Sequence, residues 1–224
     1  MEGRDVHYRK ESKMNGLFEG FKFIFHGGFM MIPLLASSLI ALTVIIERWK
    51  AYSKRYITPK GFINGVLEKA QAGKVADAIQ ACEGKMIPVA AVLKAGLEHF
   101  KSPMEEMEIS MKNAGESWVP RLEKYVHILD TTITIAPLMG LLGTIIGMMG
   151  SFKVLTQSGV DDPYSITGGI AEALIATATG LVIALVCVVA HNYYNTLIKN
   201  FIYEMESAAS RLLEARMSTE RRKG

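Results

Sequence analysis

The residues best placed to do chemistry are an acid and three threonines set in apolar sequence. Glu172, Thr177 and Thr179 lie within Gly168–Ala190, GGIAEALIATATGLVIALVCVVA, and Thr144 lies in an earlier apolar run. A helix rises about 1.5 Å per residue, so roughly 20 apolar residues cross a hydrocarbon core of about 30 Å. A charge at the centre of such a helix costs about 2.5–3.5 kcal/mol, less toward an end, and intramembrane acids are usually functional. Two readings of Glu172 stand: a carboxylate in a water-lined or partner-lined pore, or one near a helix end that reaches outer water. At about 100° per residue, Glu172, Ala176, Thr179 and Ile183 share one face, while Thr177 lies about 140° away from Glu172. Thr177 is therefore expected to look sideways toward Thr144, with Thr179 beside Glu172. The alternative for each threonine is a bond to its own helix backbone.

The earlier run, Thr131–Met149, reads TTITIAPLMGLLGTIIGMM. Gly140, Thr144, Gly147 and Ser151 recur at helical spacing and form one small, weakly polar face suited to close helix packing. Pro137 removes a backbone donor and predicts a kink, a defect tolerated where neighbours satisfy the freed carbonyl. Asp130 at the entrance reads as a solvated or capping carboxylate.

These elements need a membrane. Half of the 224 residues are hydrophobic and 21% are charged, a balance that suits a membrane protein with large water-facing parts. The formal charge of +3 gives no argument for nucleic acid. Two isolated cysteines, Cys82 and Cys187, make neither a disulfide framework nor a metal site, and the five histidines lack ligand spacing. No cofactor is implied. Nucleotide, zinc-protease and serine-hydrolase motifs are missing, so no enzyme reading, and no catalytic residue, finds support.

Along the chain, residues 1–28 form a basic, then amphipathic lead-in with Phe18, Phe21, Phe25 and Phe29 on one helical face. An interfacial helix and an ordinary lead-in to a span both fit. The first span is expected at 29–46, closed by Glu47, Arg48, Trp49 and Lys50. The apolar run continues past its small residues and lies deep in the chain, which favours an uncleaved helix over a signal peptide. Residues 47–127 read as a water-soluble set of helices punctuated by Gly73, Gly84, Pro88, Pro103 and Pro120. The second span is placed at 128–152, a Gly- and Asp-rich loop at 153–167, and the third span at 168–190. Residues 191–224 are expected to extend that helix, with Leu197, Phe201, Met205, Ala208 and Leu212 as its apolar stripe. The fold class is thus all-α: three transmembrane helices with long helical extensions.

Lysines and arginines set the expected orientation. The 47–127 segment carries 13 and the C-terminal segment six, against one in the 153–167 loop and five before the first span. The two rich segments are therefore expected in the cytoplasm, with the N-terminus outside.

The triplet ERW at 47–49, APLMGLLGTIIGMMGSF at 136–152 and GGIAEALIATATGL at 168–181, with the order of spans and the large first loop, resemble the ExbB/TolQ branch of the MotA/TolQ/ExbB family, ExbB most closely. The resemblance covers the chain from about residue 29 onward. It implies an inner-membrane stator: a pentameric ring of these subunits around the spans of a dimeric, single-span ExbD- or TolR-like partner. Proton flow would then drive movement passed on by a TonB- or TolA-like protein. It places the pore carboxylate on Glu172 and pore threonines on Thr144 and Thr177, and it assigns the proton-carrying aspartate to the partner chain. One departure is LVIALVCVV in the third span, which lacks a proline common in the family. A TolQ-like role in envelope maintenance and a passive membrane scaffold are the competing functions.

Overall fold

The computed structural model describes residues 28–158 and 163–221. Of the 1–28 segment, for which an interfacial helix and an ordinary lead-in both fit, residues 1–27 lie outside the described residues. Among them every regular element is helical. Helix α1 spans Met31–Lys50 and runs into a π-helical turn at Ala51–Arg55. Five short helices follow: α2 Phe62–Gln71, α3 Val75–Cys82, α4 Pro88–Glu98, α5 Met104–Glu116 and α6 Val119–Leu122. Two long ones complete the chain, α7 Val126–Ser158 and α8 Pro163–Arg221. Helices α1, α7 and α8 are each long and apolar enough to cross a membrane. The protein is a multi-pass membrane protein.

The described residues divide into two compact units, 28–43 with 128–158 and 163–190, and 44–127 with 191–221. In the first unit, small and medium residues face inward, among them Leu34 and Ala41 of α1, Ala136 of α7, and Ala173, Ala176 and Cys187 of α8. The large apolar side chains point outward instead, including Leu39, Leu138, Leu141, Ile145, Leu181 and Leu185. That inversion suits a helix set whose solvent is hydrocarbon, where close contact between small residues does the work that burial does in water. Several hydroxyls in these helices are satisfied locally: Ser37 donates to the Leu34 carbonyl, Thr43 to Leu39 and Thr132 to Ile128.

Helix α7 is continuous across Pro137. It also runs on through Phe152, Lys153, Val154 and Leu155 to Ser158, and α8 starts at Pro163. Residues 153–158 and 163–167, expected in a loop, are therefore helical. The apolar residues after Ser151 keep helical order going, and a proline at the first helical position withholds an N–H that would have no partner there.

The second unit has a conventional core. Val89, Val92, Leu93 and Leu97 of α4, Met107 and Met111 of α5, and Leu122 are all buried. Gly96 lets α4 approach closely, because a Cβ there would stand 2.5 Å from the Met111 sulfur and 2.8 Å from a Leu212 methyl. In α8 the buried stripe is Tyr194, Ile198, Met205, Ala208, Leu212 and Ala215, with Phe201 half-buried. Ile198 takes the place expected for Leu197, one residue along. Tyr194 heads this stripe, and its hydroxyl donates to the Ile45 carbonyl at 2.7 Å.

Cys82 is buried at the end of α3, and burial pushes its thiol up to about 11 from the ordinary 9.0, offset in small part by Lys85, Lys94 and Lys69. Arg216 is buried too, paired with Glu220 at 3.1 Å and with one guanidinium nitrogen 3.6 Å from the Met107 sulfur.

Candidate functional site

The site is built on a seam between α7 and α8. Each helix presents a stripe of glycine, alanine and serine, and the stripes run in opposite directions. Ala136 meets Gly180, Gly140 meets Thr177, Gly143 meets Ala176, Gly147 meets Ala173, and Ser151 meets Gly169. The approach is at backbone distance. A Cβ on Gly140 would sit 2.9 Å from the Thr177 Cα, and one on Gly147 would sit 2.8 Å from the Ala173 Cβ. A Cβ on Gly180 would overlap the Ala136 carbonyl oxygen. Pro137, the next residue, supplies no N–H to the helix, at the point where the partner helix presents Gly180.

The polar groups divide over this seam. Thr177 Oγ1 donates across it to the Gly140 carbonyl at 2.9 Å. The structure thus turns Thr177 toward α7 as expected from its angle to Glu172, but the acceptor is a backbone carbonyl and not the Thr144 hydroxyl. Thr144 Oγ1 donates to its own helix at Leu141, 2.7 Å away, and Thr179 Oγ1 does the same at Ile175, 2.8 Å away. Ser151 Oγ lies 3.1 Å from the Gly147 carbonyl and in the space a side chain on Gly169 would need. Of the expected packing face, Gly140, Gly147 and Ser151 line the seam, whereas Thr144 lies half-buried at its edge.

Glu172 is exposed, and its carboxylate lies against Gly28, the first described residue before α1. Its expected face-mate Ala176 points the same way and crowds Gly143 together with Met30. In the single chain, then, the Glu172–Ala176 face meets the lead-in to α1. The seam residues that sequence reasoning missed are Gly143 on α7 and Gly169, Ala173 and Gly180 on α8, while Ala176 was placed only on the Glu172 face. The α8 signal was a second small-residue stripe at helical spacing within 169–180, hidden because alanine and glycine read as ordinary apolar filling. Among the described residues no cluster of His, Cys, Asp and Glu could hold a metal ion.

A second missed constellation lies in the other unit. Arg48, expected only among the residues that close the first span, is 2% exposed. It pairs with Glu47, donates to the Arg121 carbonyl at 3.3 Å, and stands over the rings of Tyr52 and Tyr125 at 5.7 and 5.6 Å. Tyr125 holds a left-handed backbone, φ 63°, immediately before α7. The Tyr52 hydroxyl donates to the Leu122 carbonyl at 2.5 Å, rings of Tyr56, Tyr194 and Phe201 pack around it, and Trp118 packs edge-on against Tyr56. Trp49 stacks on Tyr193. A buried guanidinium flanked by aromatic faces keeps its charge because carbonyl, carboxylate and ring quadrupoles replace water. A charged triplet after an apolar run carries no such message in one dimension, because interface and core use the same letters.

Comparison with known proteins gives the class. The model of the MotA/TolQ/ExbB proton channel family matches residues 85–207, which hold the whole seam and Glu172. The chain belongs to that family, one of proton channels rather than enzymes. Within it, the chain is similar to biopolymer transport protein ExbB-like 3 of Synechocystis, 30% identical over 173 residues, covering 76% of this chain and 82% of the relative. It is also 30% identical over 203 residues to the biopolymer transport protein ExbB of Pseudomonas putida, covering 82% of this chain but only 58% of that protein's length. The Tol-Pal system protein TolQ of Haemophilus influenzae is 26% identical over 178 residues, covering 73% and 76%. These relatives place it in the ExbB/TolQ branch.

Proposed function

We propose that the chain is an ExbB-like stator subunit of the bacterial inner membrane, driven by the proton motive force. Copies of it form a pentameric ring around a dimeric, single-span ExbD-like partner, and the work is passed to a TonB-like protein for uptake across the outer membrane. The N-terminus faces the periplasm, and residues 47–127 and 191–224 form cytoplasmic helices, with the lysine and arginine distribution as the support. Glu172 and Thr144 lie on the proton path. Thr177 holds the seam that keeps the path's wall closed, and Thr179 borders the acid's face.

The observation that carries this reading is Glu172 itself: an acid kept in the apolar third span of a chain that belongs to a proton channel family. One charge crossing 100 mV yields about 2.3 kcal/mol, enough to bias a conformational equilibrium in a single step and suited to repeated stepping round a ring. The test is Glu172→Ala in cells that depend on energised uptake. Uptake is expected to be lost while the complex still purifies intact with its single-span partner; normal uptake would remove Glu172 from the path. A scaffold without ion movement requires that normal uptake.

Similarity to TolQ proteins supports a second reading, an envelope-maintenance subunit with TolR- and TolA-like partners. Loss of siderophore uptake on deletion supports the first. Detergent sensitivity and division defects with uptake intact support the second.

A further inference from the structure

We infer that Gly28 is a positioning residue for Glu172: its bare Cα is the seat on which the acid's carboxylate rests. The inference rests on Glu172 lying in the proton path. A Cβ on Gly28 would overlap Glu172 Oε1 and stand 2.8 Å from the carboxyl carbon and 3.2 Å from Cγ. The space a side chain would fill is therefore taken up by the acid. Gly28 also has φ +71°, a backbone conformation that side chains with a Cβ rarely adopt.

Neither partner of this contact is free to retreat. The backbone of Glu172 is held on both sides, because Ala173 packs on Gly147 and the Gly169 carbonyl lies 3.1 Å from where a Gly147 Cβ would stand. One turn on, Ala176 fills the space beside Gly143. Gly28 is held as well, because Met30, two residues later, lies 3.3 Å from that same Gly143 position, and the Met31 amide donates back to the Gly28 carbonyl at 3.0 Å. With both backbones anchored through α7, a side chain at position 28 can be accommodated only by swinging the Glu172 carboxylate away. The first residues before α1 thus set where the acid points.

Two effects of a side chain at position 28 must be separated, strain at φ +71° and displacement of the acid. Asn adopts positive φ more readily than other residues but still carries a Cβ. Gly28→Ala and Gly28→Asn are both expected to lower proton-driven activity by about tenfold or more, since misplacing a reacting group by an ångström has costs of that order. Pairing Gly28→Ala with Glu172→Asp, which withdraws the carboxylate by one methylene, is expected to recover activity relative to Gly28→Ala alone. If Gly28→Asn works normally, or the shorter acid gives no recovery, turn geometry alone explains the glycine and the seat is wrong. A readout independent of activity uses Gly28→Cys with Glu172→Cys in the full complex, in a chain with Cys82→Ala and Cys187→Ala. Mild oxidation is expected to join the two positions within one chain, so that fragments cut between them stay linked until reduced. No link, or a link between chains, overturns the seat. Should Glu172→Ala retain full activity while the link forms, the proton-path reading fails and the contact stands.

Discussion

At the scale of single residues, the three threonines illustrate how one side chain type takes different duties in an apolar helix. Thr177 spends its hydroxyl on the Gly140 carbonyl, whereas Thr144 returns its own to Leu141 within α7. Thr177→Val should therefore weaken the fold by about 0.6 kcal/mol, the usual value of an interhelical hydrogen bond in a membrane. Thr144→Val should leave stability within about 0.5 kcal/mol, so that any loss of proton-driven work on that change reports on the path and not the fold. Detergent-unfolding titrations of the two variants check this difference. Cys82 offers a pH-dependent counterpart. Its neutral thiol is the form that the core accepts, and its folded value of about 11 lies above the ordinary 9.0. The stability it contributes is complete below pH 9 and is lost as pH rises toward 11, because only the unfolded chain releases the proton in that window. Alkylation of Cys82 at pH 8 should be slow in the native protein and rapid once the second unit is unfolded.

At the scale of elements, α7 and α8 are joined by shape more than by chemical affinity. Replacing Gly180 by Leu would drive a side chain into the Ala136 carbonyl, and overpacking of this kind costs about 1–3 kcal/mol or separates the pair. The expected outcome is loss of assembled complex, seen on native gels, where Leu181→Ala on the outward face leaves assembly intact. Much of this pair was legible in the sequence. Gly140, Gly147 and Ser151 announce one side of the seam through their spacing, and the acid marks its helix by being out of place. The facing stripe was not legible, since Ala173, Ala176 and Gly180 differ from ordinary apolar residues only by what stands opposite. The burial of Arg48 was hidden for a related reason: its partners Arg121, Tyr125 and Tyr52 are brought to it by the fold, and two of them are more than 70 positions away. The one-residue change from Leu197 to Ile198 puts the buried residue one turn after Tyr194, itself buried and bonded to the Ile45 carbonyl.

At the scale of the whole molecule, Glu172 is the one acid of the third span and Asp130 stands at the entrance of the second, so on the proposed reading the relay needs a carboxylate from a partner chain. Purified subunit in liposomes should accordingly show no more proton flux than empty vesicles, and flux should appear when a single-span partner bearing an intramembrane aspartate is added. A pH-sensitive dye inside the vesicles measures both. Flux from the subunit alone would mean that the conducting unit is already present in this chain.

The seam has one more consequence, best put in electrical terms. Where Gly140, Gly143 and Gly147 meet Thr177, Ala176 and Ala173, the gap is narrower than a methyl group, and no water molecule can stand in it. A wall of that kind is an insulator. Glu172 sits outside it, so on the proposed reading the current takes the face that carries the acid. The glycines that bring two helices together also keep the membrane's voltage from short-circuiting between them.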